Sequence, residues 1–112
     1  MSILKDIQKA LSKLKIPYET GYFNGNADEY IVVIPLSDSF ELFADNVPQV
    51  DLQEIRLALY SKRNYNIIKK QLINKLIAED YTITNRQYIG YEKDTGYHHY
   101  NIDVEKNYEM EE

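Results

Sequence analysis

Residues 52–62 have the sequence LQEIRLALYSK, in which apolar side chains recur at every second position. In an extended chain, Ile55, Leu57 and Leu59 lie on one face and the residues between them on the other. This period of two predicts a half-buried β-strand. The strand in turn requires a sheet with one face packed against a core.

Two other segments have the spacing of amphipathic helices. In the first, Ser2 can cap the helix and Pro17 can stop it, with an apolar stripe at Ile3, Leu4, Ile7, Leu11 and Leu14. The second follows the strand and starts at a cap provided by Asn64 or Asn66, with its stripe at Ile67, Ile68, Leu72, Leu76 and Ile77. Each predicted helix has one face to bury.

Further strands are predicted upstream of residue 52. Residues 29–34 contain YIVVI, which is apolar on both faces and indicates an interior strand after a short one at residues 18–23. Residues 40–44 alternate again before a loop that contains proline, which favours a short edge strand or an excursion. Asp45 and Asn46 are expected to close a turn.

The stretch YEKDTGYHHY joins the last two predicted strands through a KDTG turn and holds both histidines. Neighbouring side chains of a strand point to opposite faces, so His98 and His99 cannot coordinate the same metal ion unless the strand contains a bulge. A three-residue DTG loop would pair Glu92 with His98 and Tyr91 with His99. We expect Glu92 and His98 to form a structural pair, in preference to a metal ligand or an acid–base catalyst.

Helix, strands, helix and hairpin together predict an α+β fold, a mainly antiparallel sheet with two amphipathic helices packed on one face. The second face of the sheet then needs solvent or a partner. A chain of 112 residues that is 44% hydrophobic suits a single domain, residues 1–112. Its acidic residues 105–112 predict a frayed C-terminal tail.

Composition and motifs narrow the functional classes. The chain has no cysteine, which excludes disulfides and thiolate chemistry, and lysines interrupt its N-terminal segment, which is unlike a signal peptide or membrane span. A net charge of −5 argues against specific nucleic-acid binding. No glycine-rich phosphate loop, G-x-S-x-G or H-E-x-x-H motif occurs. The sequence predicts a non-enzymatic protein without cofactor or metal, unless scattered residues assemble a site.

Tyrosine is unusually frequent, with eleven tyrosines against three phenylalanines. Tyrosines suit protein interfaces because the ring packs while the hydroxyl finds a hydrogen bond. If Phe40 and Leu42 face the core and Phe43 faces outward, Phe43 is a candidate anchor, although all three could fill a small core under the loop. The candidate partner contacts are Phe40, Phe43, Asp45, Tyr60, Tyr91, Tyr97 and Tyr100.

The order of several segments resembles one protein family. GYFNGNADEYIVVIPL, FELFADN, IRLALYSKRNY, IIKKQLINKLIAED and YIGYEKDTGYHHYNIDVE are similar, in this order, to segments of small tail completion proteins of long-tailed phages and prophages of Gram-positive bacteria. These are tail terminators and tail-to-head joining proteins. The shared features are Asp28 with Tyr30, Phe43 to Asp45, a strand at 55–60, a helix at 67–79 and a hairpin at 91–100.

The resemblance implies a structural virion protein at the head–tail junction. Such proteins form a ring, usually of six copies, that terminates the tail tube and joins it to the head connector. The implied partners are further copies, the major tail tube protein and head connector proteins, while DNA passes through the ring. The protein would assemble in the host cytoplasm and end in the virion. The alternative is a small adaptor domain that binds one protein partner through its exposed sheet face.

Overall fold

One mainly antiparallel sheet and two helices make up the computed structural model, which describes residues 2–110. The elements are α1 (Ile3–Ser12), β1 (Tyr18–Thr20), β2 (Glu29–Ala44), β3 (Val47–Ser61), α2 (Tyr65–Ala78), β4 (Thr82–Glu92) and β5 (Tyr97–Glu109). The strand order is β1-β2-β3-β5-β4, with β1 parallel to β2 and the other described pairs antiparallel. The predicted α+β class is confirmed.

Both helices begin at caps that the sequence indicated. The Ser2 hydroxyl accepts a hydrogen bond from the Lys5 amide at 3.2 Å, and the Asn64 side chain accepts one from the Asn66 amide at 3.1 Å. Each bond satisfies an amide that the first helical turn leaves without a backbone partner. Helix α1 ends at Ser12, well before Pro17.

The core lies between the two helices and one face of the sheet. Because side chains alternate along a strand, every second residue of β2, β3 and β5 points at the helices. The fully buried aliphatic side chains are Ile7, Leu11, Ile31, Val33, Ile55, Leu57, Leu59, Ile68, Leu72, Leu76, Ile102 and Val104. The predicted inward face of the central strand is therefore confirmed.

The predicted apolar stripe of α2 is too wide. Ile68, Leu72 and Leu76 are buried, whereas Ile67 and Ile77 are 63% and 61% exposed. Successive residues of a helix are rotated by about 100°, so a helix lying on a flat sheet buries a narrow stripe. Two isoleucines therefore remain on the outer surface of α2.

Strand β2 is much longer than predicted. It runs through Pro35 to Ala44, and a bulge between Pro35 and Ser37 absorbs the extra residue Leu36. Strand β1 pairs with β2 only as far as Val33. Pro35 therefore lies beyond β1, where no strand on that edge requires a hydrogen bond from a backbone amide. The predicted separate edge strand and loop are wrong, because the chain continues as one strand.

The C-terminal segment is ordered further than predicted. Strand β5 continues to Glu109, and Tyr108 is buried with its hydroxyl donating to the Asp6 carboxylate at 2.6 Å. The prediction of a frayed tail from residue 105 is wrong for residues 105–109, and Glu111 and Glu112 lie outside the described residues. Within residues 2–110, no helix has both the length and the apolar character to span a membrane.

Adjacent isoleucines of α2 provide a matched test of this packing. Ile68→Ala should lower the free energy of unfolding by about 2–5 kcal/mol, because it opens a cavity in the core. Ile67→Ala should change that energy by less than about 0.5 kcal/mol, since its side chain is already in water. Urea unfolding of both variants measures the difference, and equal losses would contradict the described rotation of α2.

Candidate assembly surface

A hairpin arm, residues 36–54, extends from the sheet beyond its neighbouring strands. Strand β4 reaches only the level of Glu54, through the pairing of Thr82 with Glu105, and β5 stops pairing at Val50. Beyond Val50 the arm consists of β2 and β3 alone. The molecule is consequently elongated, with extents of 54 × 24 × 24 Å.

The turn at the end of the arm has the backbone that a tight hairpin requires. Asp45 and Asn46 connect the strands in two residues, with φ of 51° and 65°. Positive φ at both central positions matches the twist of the flanking strands, and Asn and Asp tolerate it. The predicted turn is confirmed. Leu42 also has positive φ, 52°, which costs a branched residue about 1 kcal/mol.

Apolar side chains of the arm point into solvent. Leu42 is 72% exposed, Phe43 62%, Val47 56% and Phe40 53%. The expectation that Phe40 and Leu42 face the core is wrong, and so is the small core under a loop, because Phe40, Leu42 and Phe43 are all more than half exposed. The arm instead presents apolar side chains on both faces. Four large apolar side chains exposed so close together on one hairpin make the arm a candidate protein-binding surface.

The arm is also acidic throughout. Its carboxylates are Asp38, Glu41, Asp45, Asp51 and Glu54, and it contains no lysine or arginine. The other thirteen acidic residues of the chain equal its thirteen basic residues, so the arm accounts for the whole net charge of −5. This acidic segment is not among the predicted features, although the absence of basic residues from 36–54 indicates it.

A shallow groove with basic edges lies between the two helices. Its volume is about 500 Å³, and its lining consists of Lys13, Leu14, Gln71, Asn74, Lys75 and Ala78. The Lys13–Glu79 ion pair, at 3.1 Å, links the C-terminal ends of the two helices, whereas the Lys75–Glu79 pair, at 3.3 Å, lies within the last turn of α2. The hydrogen bonds from Lys13 and Lys75 lower the pKa of the Glu79 carboxyl. The segments that contain α1 and α2 carry an excess of lysine, and two of these lysines, Lys13 and Lys75, line the groove.

The histidine hairpin has a different register from the predicted one. Its turn contains four residues, 93–96, and Gly96 with φ of 82° donates its amide to the Glu92 carbonyl. Glu92 therefore lies opposite Tyr97, and Tyr91 opposite His98. The predicted pairs Glu92 with His98 and Tyr91 with His99 are wrong by one residue.

The two histidines nevertheless lie on opposite faces, as predicted. His98 faces the helices, with its Nδ1 3.0 Å from the Tyr88 hydroxyl. His99 stacks on Tyr60 with ring centroids 4.3 Å apart, and its Nε2 lies 2.9 Å from the Asn101 side-chain oxygen. Both imidazoles thus have structural partners. Among residues 2–110, no three His, Asp or Glu side chains are grouped closely enough to hold a metal ion.

The predicted contact tyrosines are divided between two places. Tyr60 and Tyr97 belong to an aromatic cluster on the face opposite the helices, where both pack against Tyr30. Burial raises the pKa of Tyr60 there. Tyr100 is a core residue, 8% exposed, so its prediction as a partner contact is wrong, whereas Tyr91 is 53% exposed.

The structure thus groups only part of the predicted contact set. Phe40, Phe43 and Asp45 lie together on the arm, and the tyrosines lie on the wider part of the sheet.

Compared with known proteins, the sequence matches no family model and no curated sequence.

His99 makes stability depend on pH. Burial lowers the pKa of the His99 imidazole, and this effect outweighs the hydrogen bond to Asn101, which raises the pKa. Because the folded pKa lies below the unfolded value of about 6.5, the stabilisation is complete above that value and is lost as pH falls through the folded pKa. His99→Gln should therefore reduce the loss of unfolding free energy between about pH 7 and about pH 5. Urea unfolding at both pH values tests this, and an unchanged loss would refute it.

Proposed function

We propose that the protein is a structural virion protein that forms a ring at the head–tail junction of a long-tailed phage. The projecting arm carries this proposal, because it exposes Leu42, Phe43 and Val47 on a ribbon that its own chain leaves uncovered. A ring subunit needs such a surface, since each copy must bury part of itself against another protein. The choice of a ring at the head–tail junction, among possible assemblies, rests on the resemblance to small tail completion proteins.

The proposed ring terminates the tail tube and offers a second surface to the head connector. The natural partners are further copies, six in such rings, together with tail tube and connector proteins. Assembly takes place in the bacterial cytoplasm and the product remains in the virion. The arm supports this role physically, because burial of the aromatic and aliphatic side chains at its tip against a partner would stabilise the complex. In the isolated chain these side chains remain in water.

Acidity suits a ring through which DNA passes. The arm contributes five carboxylates and no basic residue. Phosphate and carboxylate repel, so a lumen with such groups nearby does not retain the DNA. We therefore propose that the protein makes no specific contact with nucleic acid.

The assembly itself gives the first test of this role. The free protein should be monomeric or weakly associated by native mass spectrometry, and should form a ring on the ends of tubes made from the major tail tube protein of the same phage. Electron microscopy should show capped tubes that stop growing. A matched measurement with labelled duplex DNA at physiological ionic strength should show no tight binding. Tubes of unchanged length with and without the protein would contradict the proposal.

The second test separates folding from assembly. Phe43→Ser should leave the unfolding temperature nearly unchanged, because Phe43 is already 62% exposed. The same substitution should reduce capping of tail tubes. Gln87→Ser on strand β4 is a control, since Gln87 is exposed and lies outside the arm. Capping that survives Phe43→Ser would remove the arm from the proposal. Capture of a single unrelated protein partner, without capping, would favour the adaptor role.

A further inference from the structure

We propose that the arm of one copy docks into the groove between α1 and α2 of a second copy. The inference rests on the self-association in the proposed function and identifies the two surfaces that meet. One surface is the tip of the arm around Leu42, Phe43 and Val47. The other is the groove that Leu14, Asn74 and Ala78 help to line.

Charge complementarity within one sequence selects a second copy as the occupant. The arm has five carboxylates and no basic residue. Residues 3–15 and 64–80, which contain both helices, have seven lysines against the three carboxylates of Asp6, Glu79 and Asp80. Opposite signs on two patches steer one copy onto the next and fix their register. A tip-to-tip contact between two arms would instead oppose carboxylate to carboxylate.

Apolar surface is present on both sides of the proposed contact. On the arm, Leu42 and Phe43 are 72% and 62% exposed. On the helical side, the groove has Leu14 and Ala78 in its lining, and Ile67 and Ile77 are exposed on α2. Aromatic anchors in a pocket with a charged rim are typical of the residues that dominate binding energy. The arm tip and the groove match in this respect.

The arm does not occupy the groove of its own chain. Val47 lies eight residues along β3 from Ile55, where the core begins, a distance of about 26 Å for extended chain. Strand pairing holds the arm in line with the sheet, and the side chains at its tip remain exposed. The contact is therefore between two copies, and it is heterologous, because arm and groove are different surfaces. Repetition of such a contact produces a ring when the rotation closes.

Engineered cysteines can trap this contact, because the chain has no cysteine of its own. Ala44→Cys on the arm and Asn74→Cys in the groove should form a mixed disulfide when the two variants are combined under oxidising conditions. Mass spectrometry measures the yield. Gln87→Cys replaces Asn74→Cys in the control and should give at least about tenfold less mixed dimer. A yield equal to the control, or a predominance of dimers between two Ala44→Cys copies, would overturn the proposal.

Charge reversal provides an independent measurement with a built-in rescue. One variant carries Glu41→Lys and Asp45→Lys on the arm, and the other carries Lys13→Glu and Lys70→Glu beside the groove. Either charge reversal alone, added to the cysteine pair, should lower the yield of cross-linked dimer at least about tenfold. The two reversals together should restore that yield. Thermal unfolding checks that each variant folds. Failure of the rescue with both variants folded would overturn the proposed pairing.

The two proposals fail in different ways. Cross-linking without capped tail tubes would retain the arm-to-groove contact and reject the head–tail role. Capped tubes without cross-linking would retain the head–tail role and reject this contact. Both measurements use the full chain, and the cysteine pair leaves Phe43 and the lysines of the groove unchanged.

Discussion

Strand β3 holds the molecule together because it pairs on both sides along most of its length. Its ladder with β2 runs from Ser61 to Val47, and its ladder with β5 from Ser61 to Val50. Backbone groups of β3 are therefore satisfied within the sheet while Leu57 and Leu59 are fully buried under the helices. Both helices dock on the apolar face that this register creates, so a slip of one residue would turn the core toward solvent.

The same register also creates the arm. A two-stranded hairpin is only marginally stable in water, but here its strands continue from a sheet that the core already fixes. The arm can thus keep Leu42 and Phe43 exposed without losing its shape. In the assembly that we propose, such a ribbon needs little further ordering on binding, which reduces the entropic cost of association.

Charge is divided between the arm and the helical segments. The arm holds the net negative charge, and the helices hold an excess of lysine. Arg56 and Asp103 form a two-bond ion pair at 2.8 and 3.1 Å near the base of the arm, on the face of the sheet opposite the helices. That arginine is neutralised locally, so it does not offset the carboxylates farther out. Two surfaces of unlike charge on one molecule suit the head-to-tail contact that we propose between copies.

The sequence by itself determined the elements whose physical causes are local. Side-chain periods of two and of three to four residues gave β3 and both helices, short polar side chains gave the caps at Ser2 and Asn64, and Asp45 with Asn46 gave the hairpin turn. Only the tertiary structure decided which apolar residues are covered. Ile67 and Phe40 are apolar residues of the kind common in protein cores. The rotation of α2 about its axis leaves Ile67 exposed, and Phe40 is exposed because it lies on the projecting arm. The pairing of His98 was likewise decided by one extra residue in a turn, because register is a relation between strands and not a property of either strand.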